Sequence, residues 1–196
     1  VTVKIKNHNM IFVHIPKTAG VSISRWLAEN VNGQYLGKPI EANKHMIFRK
    51  VAEKYNPEFT FSVVRNPWDR LVSGFHYYDK KRSPSVRGKT FETFVRSKKL
   101  GKLGKNQYHY LQDAMGNIGV DYVIRFENLD EDFKKIQDML DCHIPLTKSN
   151  STAHTNYTNY YTKETRDIVK EIYAADIKEF GYSFSRPQNY FPIRPE

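Results

Sequence analysis

Cysteine is nearly absent: Cys142 is the only one in 196 residues. An intramolecular disulfide is therefore impossible, a cage of several cysteine thiolates around a metal is excluded, and a reducing cytoplasm is the simplest compartment. Long apolar runs are missing too. Nothing near Val1 reads as a signal peptide or a membrane span, so no membrane segment is expected, although a trimmed secretory-pathway catalytic domain would look the same. Asn150-Ser-Thr and Asn156-Tyr-Thr match the glycosylation acceptor pattern, but such triplets are common by chance. There is no internal repeat and no low-complexity segment. Acidic residues are in short supply, 21 Asp and Glu against 31 Lys and Arg. The resulting charge of +10 implies an anionic partner, without choosing between nucleotide, nucleic acid, acidic polysaccharide and anionic membrane.

What is present suits one globular domain over residues 1–196. Hydrophobic residues make up 39% and aromatics 14%, spread along the whole length, which argues against disorder as the dominant state. Met10 to Ile15 is an apolar, β-branched run and predicts a first strand. A turn over Pro16 to Gly20 leads into a helix from Ser22 to about Val31, with Ile23, Trp26 and Leu27 on one face. A loop with a short strand is expected over Asn32 to Asn43, then a helix over Lys44 to Lys54, closed by Asn56-Pro57. Phe59 to Val64 predicts a second buried strand.

Pro67 suits the first turn of a helix that carries Trp68, Leu71, Val72, Phe75 and Tyr78. Basic loops are expected over Lys80 to Lys89 and Leu100 to Lys105, on either side of a helix at Phe91 to Val95. Asp121 to Phe126 predicts a third strand. Asn128 with Glu131 then caps a helix whose apolar stripe is Leu129, Phe133, Ile136 and Leu140. After a polar stretch from Leu146 to Tyr161, one last helix carries Ile168, Val169, Ile172, Tyr173, Ile177 and Phe180, and Gly181 stops it. Strands alternating with helices predict an α/β fold with a central, mainly parallel sheet flanked by helices.

Two segments carry the chemistry. In Ile15-Pro-Lys-Thr-Ala-Gly-Val-Ser22 the strand aims the chain at a turn whose N–H groups face outward. Gly20 permits close backbone approach, Lys17 adds charge, Thr18 and Ser22 add hydroxyls, and the helix presents the positive end of its dipole. Together these describe a cradle for phosphate or sulfate. An ordinary strand–turn–helix corner with a solvated lysine is the bland alternative. A P-loop nucleoside triphosphatase is the losing reading, because Ile11 and Pro16 stand where its glycines belong and the second strand ends at Arg65 rather than at a magnesium-holding aspartate. Arg65 offers a planar fork of donors for a phosphate monoester, and Ser73, two helical turns on, adds a hydroxyl. Arg70 is a second candidate, with an ion pair to Asp69 or a surface role as its alternatives.

At these residues the chain resembles a known family. Pro16-Lys-Thr-Ala-Gly-Val-Ser22 is similar to the 5′-phosphosulfate loop of sulfotransferases, and Arg65-Asn-Pro-Trp-Asp-Arg-Leu-Val-Ser73 to their 3′-phosphate motif. The likeness is closest to the carbohydrate branch that includes heparan sulfate 2-O-sulfotransferase and its small bacterial relatives. Asp121-Tyr-Val-Ile-Arg-Phe-Glu-Asn-Leu129 and Tyr173-Ala-Ala-Asp-Ile-Lys-Glu-Phe-Gly-Tyr182 extend it over most of the chain.

The resemblance implies a P-loop-like three-layer fold and an enzyme using 3′-phosphoadenosine 5′-phosphosulfate (PAPS), with no metal. By motif, Lys17, Thr18, Ala19, Gly20, Val21 and Ser22 hold the 5′ side, and Arg65 and Ser73 hold the 3′-phosphate. Lys17 also neutralises charge on the leaving phosphate. The acceptor is a hydroxyl, on a saccharide by the same likeness, with no nucleic-acid partner. His45 occupies the interval in which that branch carries its catalytic histidine, while His14 is expected beneath the site. Lys148, Thr152 and His154 fall where the family closes a loop over the nucleotide, a polar surface loop being the alternative. The cations of Lys80–Arg87 and Lys98–Lys105 are candidates for an acceptor groove or simply a solvated face. The competing function is a non-catalytic module binding nucleic acid or anionic glycan through charge alone. A nucleotide kinase, which would depend on metal, ranks third.

Overall fold

The computed structural model describes residues 2–36, 45–147 and 155–185. Lys44 and the expected nucleotide-closing segment with Lys148, Thr152 and His154 lie outside the described residues. In chain order come strands β1 (Val3–Ile5) and β2 (Met10–Val13), helix α1 (Gly20–Asn30), strand β3 (Gly33–Tyr35), helix α2 (Phe48–Tyr55) and strand β4 (Phe59–Val64). Helices α3 (Pro67–Lys80), α4 (Phe91–Arg96) and α5 (Tyr108–Leu111) follow, then strand β5 (Tyr122–Arg125). The last elements are helices α6 (Leu129–Asp132), α7 (Lys134–Met139), α8 (Lys163–Ile172) and α9 (Ala174–Phe180). These elements fall into two compact units, one from the described residues of Val1–Val64 and His109–Asn150, the other from those of Arg65–Tyr108 and Ser151–Pro192.

The first unit holds the sheet, in the order β3-β1-β2-β4-β5. β2 pairs parallel with β4, and β4 parallel with β5. β1, which the sequence pattern did not reveal, pairs antiparallel with both β2 and β3. For β2 the reason is local. A single 3-10 turn, Lys6–His8, closed by Asn9 at φ 41°, returns the chain directly, and so short a connection permits only an antiparallel neighbour. The parallel pairings are linked by longer, helix-bearing crossovers.

One face of the sheet presents Val3, Ile5, Met10, Phe12, Phe61, Val63 and Ile124 to Ile23, Trp26 and Leu27 of α1, and to Phe133, Ile136 and Leu140. The indole of Trp26 meets Phe133 edge-on at 5.1 Å and donates its N–H to the Ile144 carbonyl at 2.7 Å. The stripe from Phe133 to Leu140 is thus core, as expected, but not on one helix: α6 and α7 are separate. Asn128 does not cap either. Its amide donates to Asp132 at 2.7 Å, and the other oxygen of Asp132 accepts the Arg125 N–H at 2.9 Å, so the buried carboxylate ties the end of β5 to α6.

In the second unit Asn66 caps α3, accepting from the Trp68 N–H at 3.1 Å, with Pro67 in the first turn. Trp68, Leu71, Val72 and Phe75 pack with Phe91, Phe94 and Val95 of α4, Leu100 and Leu103, and Val169 of α8. The expected last helix is two, α8 and α9, broken at Tyr173, whose hydroxyl donates to the Leu103 carbonyl at 2.5 Å. Leu100 to Lys105, expected as a loop, contains a 3-10 turn at Gly101–Gly104 that brings Leu103 into this core.

Phe133 joins the strands of the first unit to α1. Phe133→Ala should cost about 3–5 kcal/mol in urea-induced unfolding, the usual range for emptying an aromatic core position.

Candidate active site

β2 ends at Val13, and the chain turns through His14 to Ala19 before α1 begins at Gly20. Lys17 (φ 69°) and Ala19 (φ 64°) are both left-handed, and no side chain caps α1 at Ala19. Left-handed residues alternating with ordinary ones turn successive N–H groups toward one side, the geometry of an anion-binding nest, here at the N-terminus of an 11-residue helix. The Thr18 hydroxyl donates to the Ile15 carbonyl at 3.0 Å, so its proton serves the turn, and what Thr18 offers an anion is its backbone N–H. Thr18 and Ser22 are buried, Lys17 is half-buried, and Val21 is 47% exposed.

Gly20 has a sharper reason for its identity than backbone access. A Cβ there would lie 1.8 Å from Cδ2 and 1.9 Å from Nε2 of His14, so the buried imidazole occupies the space a side chain would need. The His14 ring stacks on Phe12 at 5.9 Å and meets His45 edge-on at 4.7 Å. Burial above all, with the N-terminal charge, His45 and Lys17 adding to it, holds its pKa well below the ordinary 6.5. His14 is therefore a neutral ring beneath the anion loop.

His45 lies just before α2 rather than inside it, because that helix starts only at Phe48. Its Nδ1 is 3.1 Å from the His14 carbonyl oxygen. A carbonyl oxygen only accepts, so this bond requires the proton on Nδ1, and neutral His45 then carries its lone pair on Nε2. Tyr110 flanks the ring at 6.5 Å, near perpendicular. The first unit thus brings together the loop from Lys17 to Ser22, the buried His14 and a half-buried histidine whose Nδ1 faces a backbone carbonyl.

Arg65 and Ser73 belong to the second unit and are both buried. The main chain of Arg65 is gripped at both ends by one side chain: its N–H donates to Gln107 Oε1 at 2.9 Å, and Gln107 Nε2 donates to its carbonyl at 2.8 Å. Gln107 is held in turn by Asp176 at the start of α9, which accepts the Gln107 N–H at 2.9 Å and the Tyr108 N–H at 2.8 Å. Burial raises the Asp176 pKa, while Arg70 and these N–H donors oppose the rise. The Arg65 side chain donates through Nε to Asp69 at 2.8 Å. Arg70 does not take the surface role that was one of its alternatives. It is 1% exposed, donates to the Lys105 carbonyl at 3.1 Å, and lies over the Tyr173 ring.

Residues 65–108 hold twelve Lys and Arg against three Asp and Glu, +9 of the chain's +10. Lys80, Lys81, Arg82, Arg87, Lys98, Lys99, Lys102 and Lys105 are all exposed. Among the described residues no three His, Cys, Asp or Glu side chains cluster as a metal site would require, and no helix is long and apolar enough to cross a membrane.

Comparison with known proteins defines the class. A profile of the sulfotransferase family matches residues 2–183, and the chain belongs to that family. It is also similar to an uncharacterized protein of Archaeoglobus fulgidus, 32% identical over 117 residues, which span 57% of this chain and 93% of that one. Among solved structures it resembles mouse sulfotransferase SULT7A1 complexed with PAP, with a TM-score of 0.57 over 89% of this chain and 86% of that chain. At 17% identity this likeness speaks for the fold, an open, mainly parallel sheet flanked by helices.

Two outcomes are expected here. Gly20→Ala should destabilise by about 1–3 kcal/mol, and the effect should be strongly non-additive with His14→Ala, because the two residues compete for one space. A double-mutant cycle in urea measures it. Stability should also fall as pH drops from about 7.5 to about 5, because the unfolded chain takes a proton near pH 6.5 that buried His14 refuses. In His14→Phe, denaturation across the same range should show a shallower decline.

Proposed function

We propose that this chain transfers a sulfuryl group from PAPS to a hydroxyl, on an anionic saccharide as acceptor. Family membership supports the reaction class. The structural relative that holds PAP supports the nucleotide. The observation that carries the reading is the turn at Lys17 and Ala19, a ready cradle for a 5′-phosphosulfate at a helix N-terminus. Nearly all the net positive charge lies within residues 65–108, which favours an anionic acceptor over a neutral one.

In this reading PAPS supplies an activated sulfuryl group on a 5′-phosphate, and the S–O bond to that phosphate breaks as the acceptor oxygen bonds to sulfur. The N–H groups of residues 17–22 orient the phosphosulfate. Lys17 balances the charge left on the departing phosphate oxygen, a contribution made mainly in the transition state. His45 Nε2 receives the acceptor's proton, and the His14 carbonyl stabilises the imidazolium through Nδ1–H. Arg65 and Ser73 bind the 3′-phosphate, Arg65 with its backbone pinned by Gln107 and one edge of its fork held by Asp69.

Calorimetry with 3′-phosphoadenosine 5′-phosphate tests the donor site. Wild type should bind in the micromolar range, and Arg65→Ala should lose at least about 30-fold in affinity, the cost of removing one partner of a buried charged contact. A folded wild type that does not bind, yet holds polyanions in a steeply salt-dependent way, would overturn the enzyme reading in favour of a charge-driven binding module. His45→Ala should lower kcat about 10²–10⁴-fold with nucleotide affinity nearly unchanged, as read in a sulfate-transfer assay.

A further inference from the structure

One buried ring links the anion loop to the base. The His14 imidazole fills the space beside Gly20 where α1 begins, rests on Phe12, and presents itself to His45 at 4.7 Å and 82°. The same residue's carbonyl accepts from His45 Nδ1 at 3.1 Å. His45 is thus held twice by a single residue, through its ring and through its proton, and Tyr110 stands beside it on another side.

We propose that His14 is a positioning residue for sulfuryl transfer, holding His45 in the Nδ1–H tautomer so that Nε2 is the base. The proposal rests on the reading of His45 as that base. Free neutral histidine prefers its proton on Nε2, so a chain that needs Nε2 as acceptor has to favour the other tautomer, and a fixed carbonyl at Nδ1 does so. His45 lies in an irregular segment before α2, with no helix to orient it, and the ring contact with His14 adds to the carbonyl in keeping the imidazole turned that way. The ring also has to be uncharged, since a cation 4.7 Å away would suppress the basicity of His45. Burial of His14 meets that need, and the charged or titratable groups acting on it, the N-terminal amine, His45 and Lys17, push in the same direction.

Nitrogen NMR of the full chain labelled at histidine, with His45→Gln to assign the signal, reads the tautomer directly. Neutral His45 in wild type should carry its proton on Nδ1. In His14→Ala the population should move toward Nε2–H, and kcat should fall about 10-fold with the donor KM changed less than about 3-fold, the split expected when a base loses its orientation. His14→Phe keeps an aromatic edge and should keep the Nδ1–H form, with a kcat above that of His14→Ala. An Nε2–H tautomer in wild type overturns the proposal, as does a folded His14→Ala with wild-type tautomer and kcat, or a folded His14→Phe that loses the tautomer. If His14→Ala fails to fold, the wild-type spectrum and His14→Phe decide. Titration of the same samples with 3′-phosphoadenosine 5′-phosphate separates the two failures: no nucleotide binding sinks the sulfotransferase reading, whereas normal binding with the wrong tautomer sinks only the role of His14.

Discussion

The parallel register of β2, β4 and β5 is the constraint on which the candidate site depends. Val13 pairs with Ser62, and Val64 with Arg125, so the carboxyl ends of the strands lie along one edge of the sheet. Chains leaving that edge start with their N–H groups and side chains clustered, which is why open α/β sheets bind ligands there. The Ser62 hydroxyl donates to the Val13 carbonyl at 2.6 Å and secures the last rung before the chain turns into the anion loop. A slip of one residue in β2 would exchange the faces of Phe12, Val13 and His14 at once, removing Phe12 from the core and His14 from beneath Gly20.

On that edge the chain carries local costs. Lys17 and Ala19 adopt a left-handed backbone without being glycine, at roughly 1–2 kcal/mol each. His14 gives up its hydration to sit 5% exposed. Such costs are tolerable only where surrounding packing over-determines the conformation, as the core of strands, α1 and Phe133 does here. What they provide is a turn of fixed backbone geometry at the N-terminus of α1.

The second unit solves a different problem. Arg65 follows directly on the last residue of a strand, and its buried main chain needs partners for both of its polar groups. Gln107 and Asp176 supply the hold from 42 and 111 residues away in sequence, the first by bonding both polar groups of the Arg65 main chain, the second by fixing Gln107. Asp176 is fully buried, and its hydrogen bonds and Arg70 make its charge tolerable there. Arg70, for which the sequence left a surface role open, is buried in this interior framework, and its guanidinium reaches the Lys105 carbonyl and the Tyr173 ring.

The linear sequence by itself determined the elements whose signals are local and long enough. β4 and α3 begin where the apolar run and Pro67 place them, and the turn between β2 and α1 was legible because its chemistry is written in consecutive residues. β1 escaped because three residues carry no usable periodicity, and the breaks at Phe133 and Tyr173 escaped because both residues keep the helical apolar spacing across them. Tertiary structure alone decided the rest. That the Gly20 position admits a histidine ring, that His45 Nδ1 lies against the His14 carbonyl, and that Gln107 and Asp176 stand behind Arg65 are all contacts between residues distant in the chain or facing each other across a turn. A sequence specifies which groups are available, but hydrogen bonds and steric exclusion act over a few ångströms, and only the folded chain determines which groups come that close.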